Sequence, residues 1–562
     1  MGRSLRGADL IPDILKVNFT SYGLAKNDRE ESDDSFAVKA WDETVIAVLA
    51  DGAGAARDAR EAATRIVKSL MTNYAVRPVS WSPQKALSEF TKIINHTLHH
   101  ESLVRHSAPE MISTLSVAVI EGNRLFGLNV GDSRVYLSRG GQLSQLSHDH
   151  VMNDRTFSHV LERAIGLAPS VEPHCFETEL RDGDIAFLCS DGVSNVLSDA
   201  VLSQQLAHRT AARAIVQHAR ELATEETLDD ASAIVIDIVR AGMLRAVSQL
   251  PLRIPDTLRK GEVIDGYELV RAFQNSDRVW LATKDEQRWT LKFAPLEARD
   301  DEEILARFIK EEWNAQRAAE AAPEPFVAAF TPERATARYY VQEFVEAPSL
   351  KSVLKARALG SDEAVALGRM LCTASQRLLG LDLVHGDLKP ENVLVISDYA
   401  KLRFKLIDFG SAAEIFSVTS RAGTASYLAP ERFHGEPISE RTEIFAIGVT
   451  LYEALTRTFP FGEIERFQTP VFHPPKRPGA LNANIPPWLD HVILRAISIE
   501  PARRYRHFSE LSFDLEHPER VEPFFQKGAS LIERNPLVFY RTGFWLLLAA
   551  CIALVLKITT SH

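Results

Sequence analysis

A chain of 562 residues, 45% apolar and 25% charged, is too long for one hydrophobic core and ordinary in composition, so several globular units are expected. A formal net charge of −11 without any basic stripe argues against nucleic-acid binding. Four scattered cysteines (Cys175, Cys189, Cys372 and Cys551) show neither pairing nor metal-ligand spacing, which fits a reducing compartment.

The N-terminus, MGRSLRGADLIPDILKV, has no uninterrupted apolar stretch after its basic residues and does not read as a signal peptide. From Leu15 to Val239 the chain alternates short β runs with helices. VIAVLADG, TLSVAVIEG, RLFGLNVGDSRVYLSRGG, DIAFLCSDG and SAIVIDIV are rich in Val, Ile and Leu, and Gly, Asp or Asn turns bound them. Between them, ARDAREAATRIVKSLMTNYAV and PQKALSEFTKIINHTLHHE carry apolar residues at helical spacing. The pattern predicts stacked sheets covered by helices over residues 13–240.

Residues 241–266 lack periodicity and carry prolines and charges, as a linker does. A second domain is expected over 267–516. It opens with strand-like RVWLAT and RWTLKFA and then turns helical (ALGRMLCTASQRLLGL, IFAIGVTLYEALT), which suggests two lobes. Residues 517–536 read as a juxtamembrane segment. The stretch 537–557 contains a charge-free run from Gly543 to Leu556, with Tyr540 and Trp545 suited to an interface and Arg541 and Lys557 near its ends. It is expected to be a transmembrane anchor, single-pass and C-terminal, with both preceding domains cytoplasmic on the Arg534/Arg541 side.

In the first domain, acidic residues recur at strand ends: Asp33 and Asp34 before SFAVKA, Asp51 in VIAVLADG, Asp132 in GDSR, Asp191 in LCSDG, and Asp229 and Asp230 in LDDASAIVI. Any one of these suits a turn, and Asp182–Gly183 reads only as a hairpin turn. Taken together, carboxylates converging at one end of a sandwich suit Mg²⁺ or Mn²⁺, and two such ions can acidify a water and stabilise in-line attack on phosphorus. The set, with REESDDSF, ADGAG, STLSVAVI, VGDSRVYL, LSHDH, SDGVSN and DDASAIV in this order, resembles the PPM-type metal-dependent protein phosphatases over about residues 13–240. The resemblance implies an αββα sandwich holding two or three metal ions. It implies Asp34, Asp51, Asp191 and Asp229 as metal-binding carboxylates, Gly52 as a carbonyl ligand, Asp132 at a weaker third-metal position and Arg29 as the phosphate-binding arginine. SDD replaces the family's usual Asn-Glu-Asp run, which leaves Asp33 as a supporting group.

In the second domain, VHGDLKPENVLV holds Asp387, Lys389 and Asn392 at fixed offsets, and IDFG follows with Asp408. Asp387 could accept a hydroxyl proton, Lys389 could neutralise a transferred phosphoryl group, and Asn392 with Asp408 could hold Mg²⁺. HGDLKPEN, DFG and APE together resemble the Hanks-type protein kinases over about residues 267–516. The resemblance implies Lys292 as the strand lysine on the phosphates of ATP and Glu311 as its helix partner, with Glu312 as runner-up. It places Ala272 and Val279 around the nucleotide, Glu343 in the hinge segment QEFVEAPSL, and a structural pair between Glu431 and Arg504. Three features depart from the family. Ala272, Gln274 and Asp277 stand where glycines usually cover the phosphates; HGD replaces HRD; and Glu443 stands where an Asp usually braces the catalytic loop.

The expected architecture is therefore multidomain α+β: a sandwich phosphatase, a bilobal kinase and one C-terminal transmembrane helix. The expected function is bifunctional, removing phosphate from phosphoserine or phosphothreonine proteins and phosphorylating protein Ser/Thr, autophosphorylation included, with MgATP. The alternative is an active phosphatase regulated by a nucleotide-binding pseudokinase domain. Chains that pair these domains resemble a bacterial class of membrane-associated signalling enzymes.

Overall fold

A computed structural model describes residues 15–27, 31–41, 44–78, 80–152, 160–242, 252–273, 276–332, 334–398, 401–415, 423–465, 470–525 and 536–560. The chain divides into two compact units, and the division does not follow the chain simply. The first holds Met1–Thr257, Ala294–Trp313 and Thr331–Arg338; the second holds Leu258–Phe293, Asn314–Phe330 and Tyr339–His562.

The first unit opens with β1 (Lys16–Leu24), β2 (Ser35–Trp41), β3 (Thr44–Ala50), α1 (Ala59–Ala75) and α2 (Pro83–His106). Strands β4 (Leu115–Glu121), β5 (Arg124–Val130), β6 (Arg134–Arg139), β7 (Gln142–Gln145), β8 (His174–Glu179) and β9 (Ile185–Cys189) follow. The short α3 (Asp191–Ser194), α4 (Asp199–Ala207), α5 (Ala212–Leu222) and β10 (Ala231–Arg240) complete the sandwich. One antiparallel sheet runs β1-β10-β9-β6-β7 and the other β2-β3-β4-β5-β8.

Period-2 alternation distributes the strand residues between layers. On β3, Val45, Ala47 and Leu49 join Ile234, Ile236 and Leu188 in the core between the sheets. The intervening Ile46, Val48 and Ala50 pack with Ile66, Leu70, Phe90 and Ile94 of α1 and α2. On the other side, Phe187, Cys189, Ala233 and Val235 pack with Leu202, Ile215 and Val216 of α4 and α5. Strands β3, β4, β9 and β10 are thus covered on both faces, which is why they read as continuous apolar runs rather than as alternating ones. The helix α2 starts where Ser82 Oγ accepts the Lys85 N–H at 3.2 Å with Pro83 in the first turn, and ends at Ser107 in a left-handed conformation.

The second unit contains β11 (Val263–Ile264), β12 (Tyr267–Phe273), β13 (Ser276–Lys284) and β14 (Gln287–Phe293). Next in the chain comes α6 (Glu302–Ala321), whose residues up to Trp313 belong to the first unit and the rest to the second. Then come β15 (Ala329–Phe330) and β16 (Tyr339–Glu343), giving a six-stranded antiparallel sheet in the order β11-β12-β13-β14-β16-β15.

The remainder is mainly helical: α7 (Leu350–Ala356), α8 (Ser361–Leu379), β17 (Leu383–Val384), β18 (Val393–Asp398), β19 (Lys401–Leu406), β20 (Ala413–Glu414) and α9 (Glu440–Thr456). The last elements are α10 (Pro478–Leu481), α11 (Pro487–Ala496), α12 (Phe508–Glu516) and α13 (Pro536–Thr560). Every residue from Thr442 to Leu455 of α9 is buried. Gly448 lets its neighbours in: a Cβ there would lie 2.6 Å from Ile497 and 2.8 Å from Ala496.

The described residues of the expected linker are not free of hydrogen bonds. Arg338 N–H donates to the Arg253 carbonyl at 2.8 Å, Arg299 Nε donates to the Ile254 carbonyl at 3.0 Å, and Ile254 is buried. The transmembrane segment does not emerge from the structure either: among the described residues, no helix is long and apolar enough to cross a membrane.

Candidate functional site

Strand register brings the first acidic set to one end of the sandwich. Ser35 pairs with Ala50, so Asp34 and Asp51 leave β2 and β3 side by side. Ala233 pairs with Cys189, which places Asp191 beside the start of β10, where Asp229 and Asp230 precede Ala231. Asp132 lies in the turn between β5 and β6, whose Arg134 pairs with Cys189. Gly52 has no room for a side chain, because a Cβ there would sit 2.8 Å from the Ala59 carbonyl carbon and 2.9 Å from the Asp33 oxygen. Its N–H donates to the Asp33 carbonyl at 3.2 Å and so ties the two loops together.

The electrostatics bind the set more tightly. Burial, and then the carboxylates of Asp34, Asp191, Asp132 and Asp229, push the Asp51 carboxyl well above its ordinary value. Burial raises Asp34 to about 7, against the hydrogen bond from Ser190, with Asp230 and Asp191 adding to the rise. Burial and Asp191 raise Asp132 to about 7 as well. Among the described residues, no three His, Cys, Asp or Glu side chains close up into a ready metal cage. The set nevertheless suits hard cations: Asp34 Oδ1 is buried without a hydrogen-bond partner, and crowded carboxyls held near neutrality are what divalent charge relieves.

Asp33 stands apart from this crowding, ion-paired with Arg60 at 3.2 Å and partly exposed. Arg29 lies outside the described residues.

The second set converges around Asp387. Its Oδ1 accepts the Thr424 N–H at 2.9 Å and the Thr424 hydroxyl at 3.0 Å; its Oδ2 accepts Asn392 Nδ2 at 3.2 Å and pairs with Lys389 at 2.6 Å. Lys389 also donates to Thr424 Oγ1 at 2.7 Å. The Asn392 carbonyl accepts the Ile407 N–H at 2.9 Å, which sets Asn392 beside Asp408. Lys292 Nζ donates to Asp408 Oδ1 at 3.1 Å. Burial alone would raise the Asp408 carboxyl, but Lys292 and the Gly410 N–H outweigh it and hold it below its ordinary value.

Of these residues, Lys292 and Asp408 line a cavity of about 530 Å³, together with Val279, Thr290, Gln342 and Glu343, among others. Ala272 is not in the lining, although Arg271 and Phe273 on either side of it are. Glu343 Oε2 accepts Lys405 Nζ at 2.7 Å. Glu311 lies on α6 in the first unit. Glu312, its runner-up, is buried with Thr331 as a hydroxyl donor, and burial raises its carboxyl to about 7.

Family models match two stretches of the chain: a protein phosphatase 2C model over residues 26–242 and a protein kinase domain model over residues 278–506. The chain joins a protein phosphatase 2C domain to a protein kinase domain. The kinase PknD of Chlamydia caviae is 31% identical over 258 residues, covering 40% of this chain and 27% of its own length. PknB of Mycolicibacterium smegmatis is 30% identical over 188 residues, covering 32% of this chain and 30% of its own length. The chain thus spans less than a third of either relative. Among solved structures, PppA, a regulatory component of the type VI secretion system in Pseudomonas aeruginosa, is 27% identical with a TM-score of 0.34, covering 39% of this chain and 96% of PppA. The catalytic domain of the phosphatase PstP in complex with two manganese ions is 24% identical with a TM-score of 0.33, covering 40% of this chain and 99% of that domain.

Several residues of the phosphatase 2C domain that had no expected site role support the aspartates. Ser190 Oγ donates to Asp34 Oδ2 at 2.8 Å and accepts the Ser232 N–H at 2.9 Å. Thr114 Oγ1 accepts the Asp51 N–H at 3.0 Å, and Ser113 Oγ donates to the Asp51 carbonyl at 2.8 Å. Asp230 accepts the N–H groups of Lys26 and Asp33 and the hydroxyl of Ser32, so it organises the loop before β2. Small hydroxyl residues are too common to single out in a sequence; only the fold shows which of them hold an aspartate.

The kinase domain's departures have physical counterparts. Asp277 is exposed rather than turned inward, and its carbonyl accepts Trp280 Nε1 at 2.8 Å. Gln274 lies outside the described residues, but Phe273 pairs with Ser276, so only two residues join β12 to β13. Gly386, in the place of the usual arginine, has φ +77°, and a Cβ there would lie 2.4 Å from the Ser411 carbonyl. Glu443 does brace the loop, accepting the N–H groups of His385 and Gly386 at 3.1 and 3.3 Å.

Proposed function

We propose that the chain is a bifunctional signalling enzyme. Its first domain dephosphorylates phosphoserine and phosphothreonine in proteins; its second transfers the γ-phosphoryl group of MgATP to protein Ser or Thr, including residues of its own chain. The observation that carries this reading is that two polar constellations coexist: a buried Asp51 crowded by the carboxylates of Asp34, Asp191, Asp132 and Asp229 in one domain, and Asp387 with Lys389, Asn392, Asp408 and Lys292 in the other.

In the first site, Asp34, Asp51, Asp191 and Asp229, with the Gly52 carbonyl, would hold two Mn²⁺ or Mg²⁺ ions, and Asp132 would serve a third. When bound, such ions supply charge neutralisation at phosphorus and an acidified water. The chain's own part is positional. Ser190 fixes one Asp34 oxygen and leaves the other without a partner, while Thr114 and Ser113 fix the backbone of Asp51. Arg29 would meet the phosphate.

In the second site, Asp387 orients and takes the proton of the attacking hydroxyl, and Thr424 and Asn392 keep its carboxylate aimed. Lys389 neutralises the transferred group, Lys292 with Glu311 positions the phosphates, and Asn392 and Asp408 would hold Mg²⁺. Ala272, Val279 and Glu343 are assigned to the adenosine end. The tight β12–β13 connection without glycines favours a second reading, a nucleotide-binding pseudokinase that regulates the phosphatase.

Incubation of wild type, Asp51→Asn and Asp387→Asn full-length chains with radiolabelled ATP separates these readings. Label on the wild-type chain that rises in Asp51→Asn and vanishes in Asp387→Asn supports the bifunctional reading. ATP binding without label in any form leaves the pseudokinase.

We further propose that α13 attaches the chain to a membrane, with both domains on the cytoplasmic side. Its support is the exposed apolar surface of Leu537, Phe544, Trp545, Leu546, Leu547 and Ile552, a patch that water disfavours. Membrane sedimentation of the full chain, lost on truncation after Pro536, is the expected result; an unchanged soluble fraction refutes it.

A further inference from the structure

Helix α6 carries Glu311, and within the first unit its front half is packed into the phosphatase domain. Trp313 is fully buried, with its ring 5.2 Å from Phe90 in a stacked arrangement and 5.4 Å from Trp81. Ile309 and Trp313 belong to the same apolar core as Phe90, Ile94 and Leu98 of α2, and Leu305 packs against it. The apolar residues at 305, 309 and 313 fall four apart, so one stripe of α6 faces this core. The preceding linker is fastened to the same segment: Arg299 donates to the Ile254 carbonyl and pairs with Asp256, and the Ala294 and Arg338 N–H groups continue the tie through the Arg338 and Arg253 carbonyls.

We infer that the phosphatase domain is the seat of the kinase helix: α2 holds the front half of α6 through Trp313 and thereby sets the position of Glu311. Glu311 lies two residues from Trp313, inside the stretch that α2 grips. A helix whose anchoring aromatic is stacked in another domain's core cannot turn or shift without breaking that core. Phosphoryl transfer by a kinase needs the strand lysine and the helix glutamate in place together. The phosphatase domain therefore acts as a built-in positioning element for kinase activity. This inference rests on the reading that the second domain transfers phosphate.

Full-length wild type, Phe90→Leu, Trp313→Ala and Trp313→Phe are compared in three assays: kinase kinetics, hydrolysis of p-nitrophenyl phosphate, and hydrogen exchange over residues 302–313. Phe90→Leu, a change made in the phosphatase domain, is expected to lower kinase kcat by roughly fivefold or more with a smaller change in KM for ATP, and to speed exchange over 302–313. Trp313→Ala follows in the same direction, Trp313→Phe restores both readouts, and phosphatase turnover stays within about twofold. Unchanged kinase kinetics and unchanged exchange in Phe90→Leu overturn the inference. If the wild-type chain transfers no phosphate, the kinase reading is what fails. The seat is then decided by exchange alone, faster in Phe90→Leu if it exists and unaltered if it does not.

Discussion

Replacing Glu443 by Gln tests how burial sets the charge beneath the catalytic loop. The carboxyl is 3% exposed, and burial, the largest influence, raises it from an ordinary 4.5 to about 7, against the N–H groups of Gly386 and His385; Asp387 adds to the rise and Arg432 opposes it. Between these two values the folded protein keeps a proton that the unfolded chain releases, so stability falls as pH rises through this window and levels off above about 7. A rise of about 2.5 pH units corresponds to about 3 kcal/mol at 1.36 kcal/mol per unit. Glutamine is always neutral, and its amide oxygen can accept the same two N–H groups. The variant should therefore match wild type near pH 4.5 and exceed it by up to about 3 kcal/mol near pH 8. At roughly 2–4 °C per kcal/mol for a domain of this size, the kinase-domain melting transition should rise by about 6–12 °C at the alkaline end. Glu312, Asp34 and Asp132 also carry raised carboxyls, so the informative quantity is the difference between variant and wild type at each pH. A Gln variant less stable than wild type at pH 8 refutes the reasoning, because it would mean that the charged form, facing Arg432, is what holds the loop.

Arg504→Met should cost about 3–5 kcal/mol in the kinase-domain transition, measured by urea unfolding, because it strands a largely buried Glu431. Arg504 spends all five of its N–H donors, on both Glu431 oxygens and on the Ser498, Arg441 and Ile499 carbonyls. Gly52→Ala should lower phosphatase turnover roughly a hundredfold while leaving ATP binding unchanged, since the new methyl meets the backbone of Ala59 and Asp33 and must push the Asp34 loop away from Asp51.

Much of the sandwich was legible because its central strands are apolar on both faces and bounded by Asp or Gly turns. The runs at 45–50, 115–121, 185–189 and 231–240 became strands whose alternate residues feed two different cores. The acidic residues were legible as a set because a carboxylate at a strand end recurs in order, and strand register then brings Asp34, Asp51 and Asp191 together. The linker was not. The stretch 252–257 has no periodicity, and its Arg253 and Ile254 carbonyls accept hydrogen bonds from Arg338 and Arg299, partners far along the chain that carbonyl groups never advertise. The role of Trp313 was equally hidden. An amphipathic helix shows that it has an apolar face, not which domain covers it. Gly386 shows the opposite error: it looked like a lost arginine, whereas its left-handed backbone against the Ser411 carbonyl gives glycine a steric reason to be there.

Opposing activities in one chain are usually rationalised by a flexible tether, which raises the local concentration of each domain for the other to about the millimolar range. That argument assumes a segment free to sample conformations, and residues 252–257 are not free, being fastened to Arg299 and Arg338 within the first unit. A fastened segment converts the statistical advantage of tethering into a fixed geometric relation between the linker and α6. The consequence differs in kind: tethering would let each site act on the other's products, whereas a shared helix lets the folded state of one domain bias the chemistry of the other. Coupling of that sort needs an element whose placement both domains bias. Helix α6 qualifies, because its front half is a core element of the phosphatase domain and the same half carries the glutamate assigned to the phosphates of ATP.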